Sequence, residues 1–309
     1  MINSLFSMFL GSVLLYFGAE NIVKGGVSAA KRFDISTLVI GLTVVAFGTS
    51  LPELVVSIIA AIENSSTLAI GNAVGSNIAN IGLALALSSL IFPISIKYSP
   101  IKRDLWIYLC SCIILFVFVL DGRLSFFEGI FLFIGLIFYI LICIYSPSQD
   151  EPEKESHKEL SLIKTILYIL GGTIALALGA NLFVDGAIFL ARYLGISEIV
   201  IGMSVVALGT SLPELATSAM AAFKKESAIS VGNIVGSNIF NILSVLGITS
   251  LIAPLDSPQE ILYFELPVMF LFGISIIIIA KLPQPIHRIY SSILLIGYLL
   301  FIYLYFKHE

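Results

Sequence analysis

Residues Gly41–Leu54 read GLTVVAFGTSLPEL, and Gly202–Leu215 read GMSVVALGTSLPEL, an offset of 161 residues. A second pair keeps that offset: Gly71–Asn80 is GNAVGSNIAN and Gly232–Asn241 is GNIVGSNIFN. The register holds outside the motifs too, since Phe17-Gly18-Ala19 matches Leu178-Gly179-Ala180. One constant offset over so long a stretch marks a duplicated chain.

The duplicated unit is apolar. The 309 residues are 58% hydrophobic and 12% charged, with a mean hydropathy of +1.05. A soluble domain of this size carries about 25% charged residues, so half that number leaves too little polar surface to face water. A helix of about 20 apolar residues crosses a bilayer core. Breaks at charge, Pro, Gly and Ser predict ten such spans, near 5–30, 36–62, 67–92, 105–120, 126–145, 162–191, 197–222, 228–253, 261–280 and 290–306. The first run has no basic segment before it and no clear cleavage site, so it reads as a retained span rather than a signal peptide. The expectation is an all-α membrane protein. It has two five-helix repeats, 1–145 and 162–309, and a cytoplasmic linker at 146–161.

Five spans per half is an odd number, so the second copy is expected to be inverted in the membrane. Charge tests this independently. With both termini outside, the inner segments hold thirteen Lys and Arg residues, among them Lys31, Arg32, Lys102, Arg103, Lys224 and Lys225. The outer side holds three, Arg123, Arg192 and Lys307. That is a strong positive-inside bias. Equivalent loops also exchange character, the one around Glu63 having no base and its partner carrying Lys224 and Lys225. Inverted repeats are a hallmark of secondary transporters. A multi-pass protein of the cell membrane follows.

Glu53 and Glu214 fall within apolar spans at repeat-equivalent positions, where an ionisable group costs several kcal/mol and is usually functional. No Lys or Arg lies in the second, third, seventh or eighth span to neutralise them. Pro52 and Pro213 precede the acids. Neither can donate to the carbonyl four residues earlier, at Gly48 or Gly209, so oxygens near Ala46–Thr49 and Ala207–Thr210 are expected to be freed. On a continuous helix Thr49 would share a face with Glu53, and Thr210 with Glu214. In the second motif Asn72, Ser76 and Asn80 form one polar stripe, repeated as Asn233, Ser237 and Asn241. The glycines of that motif, Gly71 and Gly75 or Gly232 and Gly236, suit close helix approach. A plain alternative for the Asn and Ser residues is interhelical hydrogen bonding.

Together these groups offer two carboxylates and a set of neutral oxygens. With no His or Cys among them, zinc, copper and iron are disfavoured. Calcium, which takes six to eight oxygens in flexible geometry, suits the set better than magnesium. Two carboxylates balance one Ca²⁺ or two Na⁺, and shared ligands make the ions compete. Cys110, Cys112 and Cys143 form no metal or disulfide pattern, and His157, His287 and His308 fall outside the spans.

These motifs, GTSLPEL twice and GNxxGSNIxN twice, resemble the calcium/cation antiporter (CaCA) superfamily and, within it, the sodium/calcium exchangers. The resemblance covers nearly the whole chain. It implies alternating access by sliding of the first and sixth helices past the rest. It also implies Ca²⁺ ligation by Glu53 and Glu214 with the carbonyls of Thr49 and Thr210. Flanking Na⁺ sites would use the Ala46 and Ala207 carbonyls with Ser50, Ser76, Ser211 and Ser237, while Asn80 and Asn241 complete the polar shell. Asn241 stands where some relatives carry Asp, which argues against potassium coupling. Ser76 and Ser237 stand where the proton-coupled branch carries an acid. The linker is too short for the calcium-sensing domains of animal exchangers.

The expected activity is Na⁺/Ca²⁺ antiport without enzymatic catalysis or cofactor, the alternatives being cation/proton or K⁺-dependent exchange on the same fold. A monomer in the bilayer is expected, with Ca²⁺ and Na⁺ as its partners and no nucleic acid. A channel would lack the need for an inverted repeat. A membrane enzyme would need a nucleophile or an HExxH motif, and neither is seen. Glu20 and Asp185 have the repeat partners Asn181 and Lys24, so they read as gating or pairing residues rather than ligands.

Overall fold

A computed structural model describes residues 2–145, 160–195 and 207–308. Residues 146–159 of the expected linker and 197–206 of the seventh expected span lie outside the described residues. The first half contains α1 (Ile2–Phe33), α2 (Thr37–Thr49), α3 (Leu51–Ile62), α4 (Ser66–Ile91), α5 (Tyr98–Phe118) and α6 (Phe126–Tyr145). The second contains α7 (Leu162–Tyr193), α8 (Ala207–Thr210), α9 (Leu212–Phe223), α10 (Ser227–Ile252), α11 (Ile261–Ala280) and α12 (Arg288–His308). Eight of the described helices are long and apolar enough to cross a membrane, and α2 with α3 makes a ninth span bent by 42°.

Two expectations change. The 36–62 span is not one kinked helix: it stops at Ser50 (φ −83°, ψ 3°) and restarts at Leu51, with Pro52 in the first turn of α3. Proline suits a helix start, where its missing N–H costs nothing. The fourth helix begins at Tyr98 rather than near 105. Its basic first turns stay helical, and Arg103 pairs with the fully buried Asp104 at 3.0 Å.

Among the described residues four helices contain a π-helical stretch: Gly41–Val45 in α2, Ile261–Glu265 in α11, Asn80–Leu85 in α4 and Asn241–Leu246 in α10. No residue pattern announced them. Such turns occur often at functional sites, and the last two occupy equivalent positions. A two-residue antiparallel pair, β1 (Arg123–Leu124) with β2 (Leu255–Asp256), ties the α5–α6 turn to the α10–α11 turn.

α4 and α10 lie at the centre, most of their residues buried, while α6, α7 and α12 are largely exposed. Their exposed faces carry large apolar side chains such as Phe127, Phe131, Leu167, Ile293 and Ile296. An apolar surface this extensive belongs against lipid, not water. α1 and α7 pack along each other through glycines. A Cβ on Gly11 would meet the Gly179 carbonyl oxygen at 2.7 Å, and one on Gly18 would meet that of Gly172 at 3.0 Å. Gly11 and Gly18 are the repeat partners of Gly172 and Gly179, so the seam pairs each repeat's glycine with the other glycine of its copy.

The same reciprocal pattern crosses the centre. Asn77 Nδ2 donates to the Asn238 carbonyl (3.1 Å), and Asn238 Nδ2 donates to the Asn77 carbonyl (3.2 Å). When residue i meets j of the other copy and j meets i, the contact is isologous, the signature of a twofold relation.

Candidate ion site

The break at Ser50 and its copy at Ser211 (φ −85°, ψ 2°) set the geometry of the site. Each leaves a glutamate, Glu53 or Glu214, in the first turn of the following helix. There the unpaired N–H groups and the helix dipole favour a negative charge. The interruption also cancels the expected alignment of Thr49 with Glu53. Thr49 turns instead toward the other half: its hydroxyl donates to Asn233 Oδ1 (3.0 Å) and lies 3.2 Å from Ser237 Oγ. Thr210 mirrors it, with Asn72 Oδ1 at 3.4 Å and Ser76 Oγ at 3.3 Å.

The two asparagines brace the glutamate backbones. Asn72 Nδ2 donates to the Glu53 carbonyl (3.2 Å) and to Ser57 Oγ (3.0 Å). Asn233 does the same to the Glu214 carbonyl (3.4 Å) and Ser218 Oγ (3.0 Å). Ser57 and Ser218, like the central pair Asn77 and Asn238, were not singled out in the sequence. The signal was present: each is a polar residue repeated at the offset of 161 inside an apolar span.

Both carboxylates are fully buried and close enough to interact through their charge. Ser50 Oγ donates to Glu214 Oε1 at 3.3 Å. The other three carboxylate oxygens, both of Glu53 and Oε2 of Glu214, have no hydrogen-bond partner. Ser211 Oγ, Asn80 Oδ1 and both polar atoms of the Asn241 amide are equally unpartnered and buried. Asn80 gives its amide to Asn238 Oδ1 at 3.0 Å, a bond for which Asn241 has no counterpart. Buried polar atoms normally find partners, so this concentration of bare oxygens is chemically a receptor for cations.

The expected free carbonyls are fewer than the prolines implied. The Ala46 oxygen accepts from the Ser50 N–H (3.0 Å) and the Thr49 hydroxyl (3.2 Å), because the chain closes one more helical turn before it breaks. Among the described residues no group of three or more His, Cys, Asp and Glu side chains could hold a metal. Any ion here must therefore draw most of its ligands from hydroxyls, amides and backbone.

The halves are not equally enclosed. Thr49 and Asn233 are fully buried, whereas their copies Thr210 and Asn72 are only half-buried. A Cβ on Gly236 would meet the Leu42 carbonyl oxygen at 2.5 Å. α1 lies along α9, while α7 makes no comparable contact with α3. Of the two sides of the site, the Thr49–Asn233 side is the more enclosed.

The chain is similar to known proteins along nearly its whole length. Residues 3–145 and 164–307 match the family model described as sodium/calcium exchanger protein. The sodium/calcium exchanger MaX1 of Methanosarcina acetivorans is 34% identical over 97% of this chain and 97% of its own. The inner membrane protein YrbG of Escherichia coli is 35% identical over 90% and 89%. A solved structure of the sodium-calcium exchanger NCX_Mj superposes with a TM-score of 0.84 at 35% identity, covering 97% of each chain. The chain belongs to the sodium/calcium exchanger family, a group of antiporters rather than enzymes.

Proposed function

We propose that this protein exchanges Na⁺ for Ca²⁺ across the cell membrane by alternating access, through one midplane site built on Glu53 and Glu214. The observation that carries the reading is the pair of fully buried carboxylates with three bare oxygens at repeat-equivalent positions. An unpaired charge buried in a low-dielectric interior costs several kcal/mol. One divalent or two monovalent cations remove that cost, and sharing one oxygen set makes their binding mutually exclusive.

Glu53 and Glu214 ligate Ca²⁺ with the carbonyls of Thr49 and Thr210. Ser50, Ser211, Ser76 and Ser237, with the Ala46 and Ala207 carbonyls, serve Na⁺, and the amides of Asn80 and Asn241 supply further oxygen. The ten-span reading, two five-helix halves inverted about the linker at 146–161, rests on the charge asymmetry and on the reciprocal hydrogen bonds. Unequal enclosure supports alternating access. α1 and α7, joined along their glycine seam, slide as a unit over the rest, so that closing α1 on α9 opens α7 from α3. With both termini outside, the open face is the outer one. The sodium-calcium exchanger NCX_Mj, solved after soaking with Na⁺ and Ca²⁺, supports the choice of ions.

The test is Ca²⁺ uptake into proteoliposomes loaded with Na⁺ and diluted into Na⁺-free buffer, against K⁺-loaded and pH-gradient controls. Uptake that requires internal Na⁺ alone is the expected result. Uptake driven only by a proton gradient would move the protein to cation/proton exchange.

A further inference from the structure

Away from the site the halves differ most where the long helices meet the ends of the short ones. α3 and α9 finish in the same turn. Glu63 (φ −81°, ψ 9°) is followed by Asn64 at φ 60°, and Lys224 (φ −82°, ψ 6°) by Lys225 at φ 63°. Both close with the Schellman pair of hydrogen bonds: Ser65 N–H to Ala60 O (2.7 Å) with Asn64 N–H to Ala61 O (3.2 Å), and Glu226 N–H to Ala221 O (2.8 Å) with Lys225 N–H to Ala222 O (3.0 Å). The backbone is copied, but the charge on it is reversed.

Lys224 uses that position to reach α1. Its Nζ lies 2.9 Å from Glu20 Oε1, and Lys24 Nζ lies 3.0 Å from the same oxygen. A cation is also favoured at the C-terminal end of α9 by the helix dipole. In the other repeat the three positions read Asn181, Asp185 and Glu63, an amide and two acids with no base.

We infer that the Glu20–Lys224 pair is a latch that holds α1 against α9 and biases the carrier toward the form in which the Thr49–Asn233 side is closed. The inference rests on the sliding-pair reading above. If α1 and α7 move as a unit, leaving this form breaks the latch and carries Asp185 of α7 toward Glu63 of α3. Two like charges then meet where the first form had an ion pair, so both ends push the same way. The latch is weak enough to open in every cycle: Glu20 and Lys224 are each 22% exposed, and water competes for a pair in that setting. Losing one such partner shifts a two-state population by about two- to fivefold.

The experiment measures spin-label distances between Phe33→Cys on α1 and Phe223→Cys on α9, in a Cys110→Ser background, in nanodiscs with Na⁺ or Ca²⁺. Lys224→Gln should raise the long-distance population about two- to fivefold. Lys224→Arg should keep the wild-type ratio, and the charge swap Glu20→Lys with Lys224→Glu should restore most of it. Glu63→Lys with Asn181→Glu builds the missing counterpart latch and should raise the long-distance population without touching α9. Two populations whose ratio ignores Lys224 and the swap would overturn the latch alone. A single population unmoved by either ion and every variant would overturn the sliding-pair reading along with it.

Discussion

The four motifs that build the site obey the twofold relation in their polar backbone contacts and break it in their carboxylates. Asn72 and Asn233 make matching bonds to the glutamate carbonyls and to Ser57 and Ser218. Yet Ser50 donates to Glu214 while its copy Ser211 donates to nothing, and Glu53 is left with both oxygens bare. The scaffold is symmetric because the sequence is duplicated. The oxygens are not, and the two sides of the site are also unequally enclosed. Under the alternating access proposed above, each half must be able to adopt the other's arrangement, so equal residues need not have equal environments at one moment.

The largest effect expected from breaking this comparison is at the glutamates themselves. Glu53→Gln and Glu214→Gln should each lower Ca²⁺ uptake in proteoliposomes by at least about 100-fold, since losing one charge from a divalent site removes its main source of binding energy. The metal-free proteins should differ in stability. Glu53→Gln removes a buried carboxylate with no partner and should raise the melting temperature. Glu214→Gln weakens the Ser50 bond as well and should raise it less. Wild-type uptake in both variants would sink the site assignment.

A second test contrasts the glycines of the two central helices. A Cβ on Gly236 would meet the Leu42 carbonyl oxygen at 2.5 Å and Ala46 Cβ at 2.7 Å, whereas none of the described residues lies within 4 Å of one on Gly75. Gly236→Ala should therefore destabilise the protein by about 1–3 kcal/mol through overpacking. Gly75→Ala should change stability by less than about 0.5 kcal/mol. If the open side later closes as Gly236's side does now, Gly75→Ala will still slow turnover several-fold in the uptake assay. Normal turnover in Gly75→Ala would mean that α4 never adopts the packing of α10.

Much of this was legible before any coordinates. The offset of 161 marked the duplicated halves, and the buried acids stood out because Glu53 and Glu214 had no base in their spans. The helix break at Ser50 was not legible, because the apolar stretches on either side of Gly48–Glu53 together have the length of one membrane span. Pro52 could equally have kinked one helix or started another, and only the geometry decides. The π turns at Asn80 and Asn241 were hidden for a related reason, since one extra residue per turn leaves no mark on an apolar sequence. Asn77 and Asn238 were overlooked because the stripe at spacing four passes through Ser76 and Ser237, one residue away. The unequal enclosure of the two sides could not be read at all from motifs this similar.

The smallest effect separates the two serines at the breaks. Ser50 Oγ is the hydroxyl that donates to Glu214 Oε1 at 3.3 Å, and Ser211 Oγ is buried without a partner. Ser50→Ala strips Glu214 of that donor, and a hydrogen bond to a charged group is worth about 1.5–3 kcal/mol. The metal-free protein should lose stability by up to that amount, with thermal unfolding in detergent as the measure. Ser211→Ala removes an unsatisfied hydroxyl and should be neutral or slightly stabilising in the same assay. Ion binding should reverse the ranking of the two where the site is shared, because Na⁺ drawn to the Ser211 side would find its oxygen gone while Glu53 stays bare. A titration of Na⁺ inhibition of Ca²⁺ uptake then gives a weaker Na⁺ effect in Ser211→Ala than in wild type. Equal stability loss in both variants would mean that the asymmetry between Glu53 and Glu214 is not a property of the metal-free form.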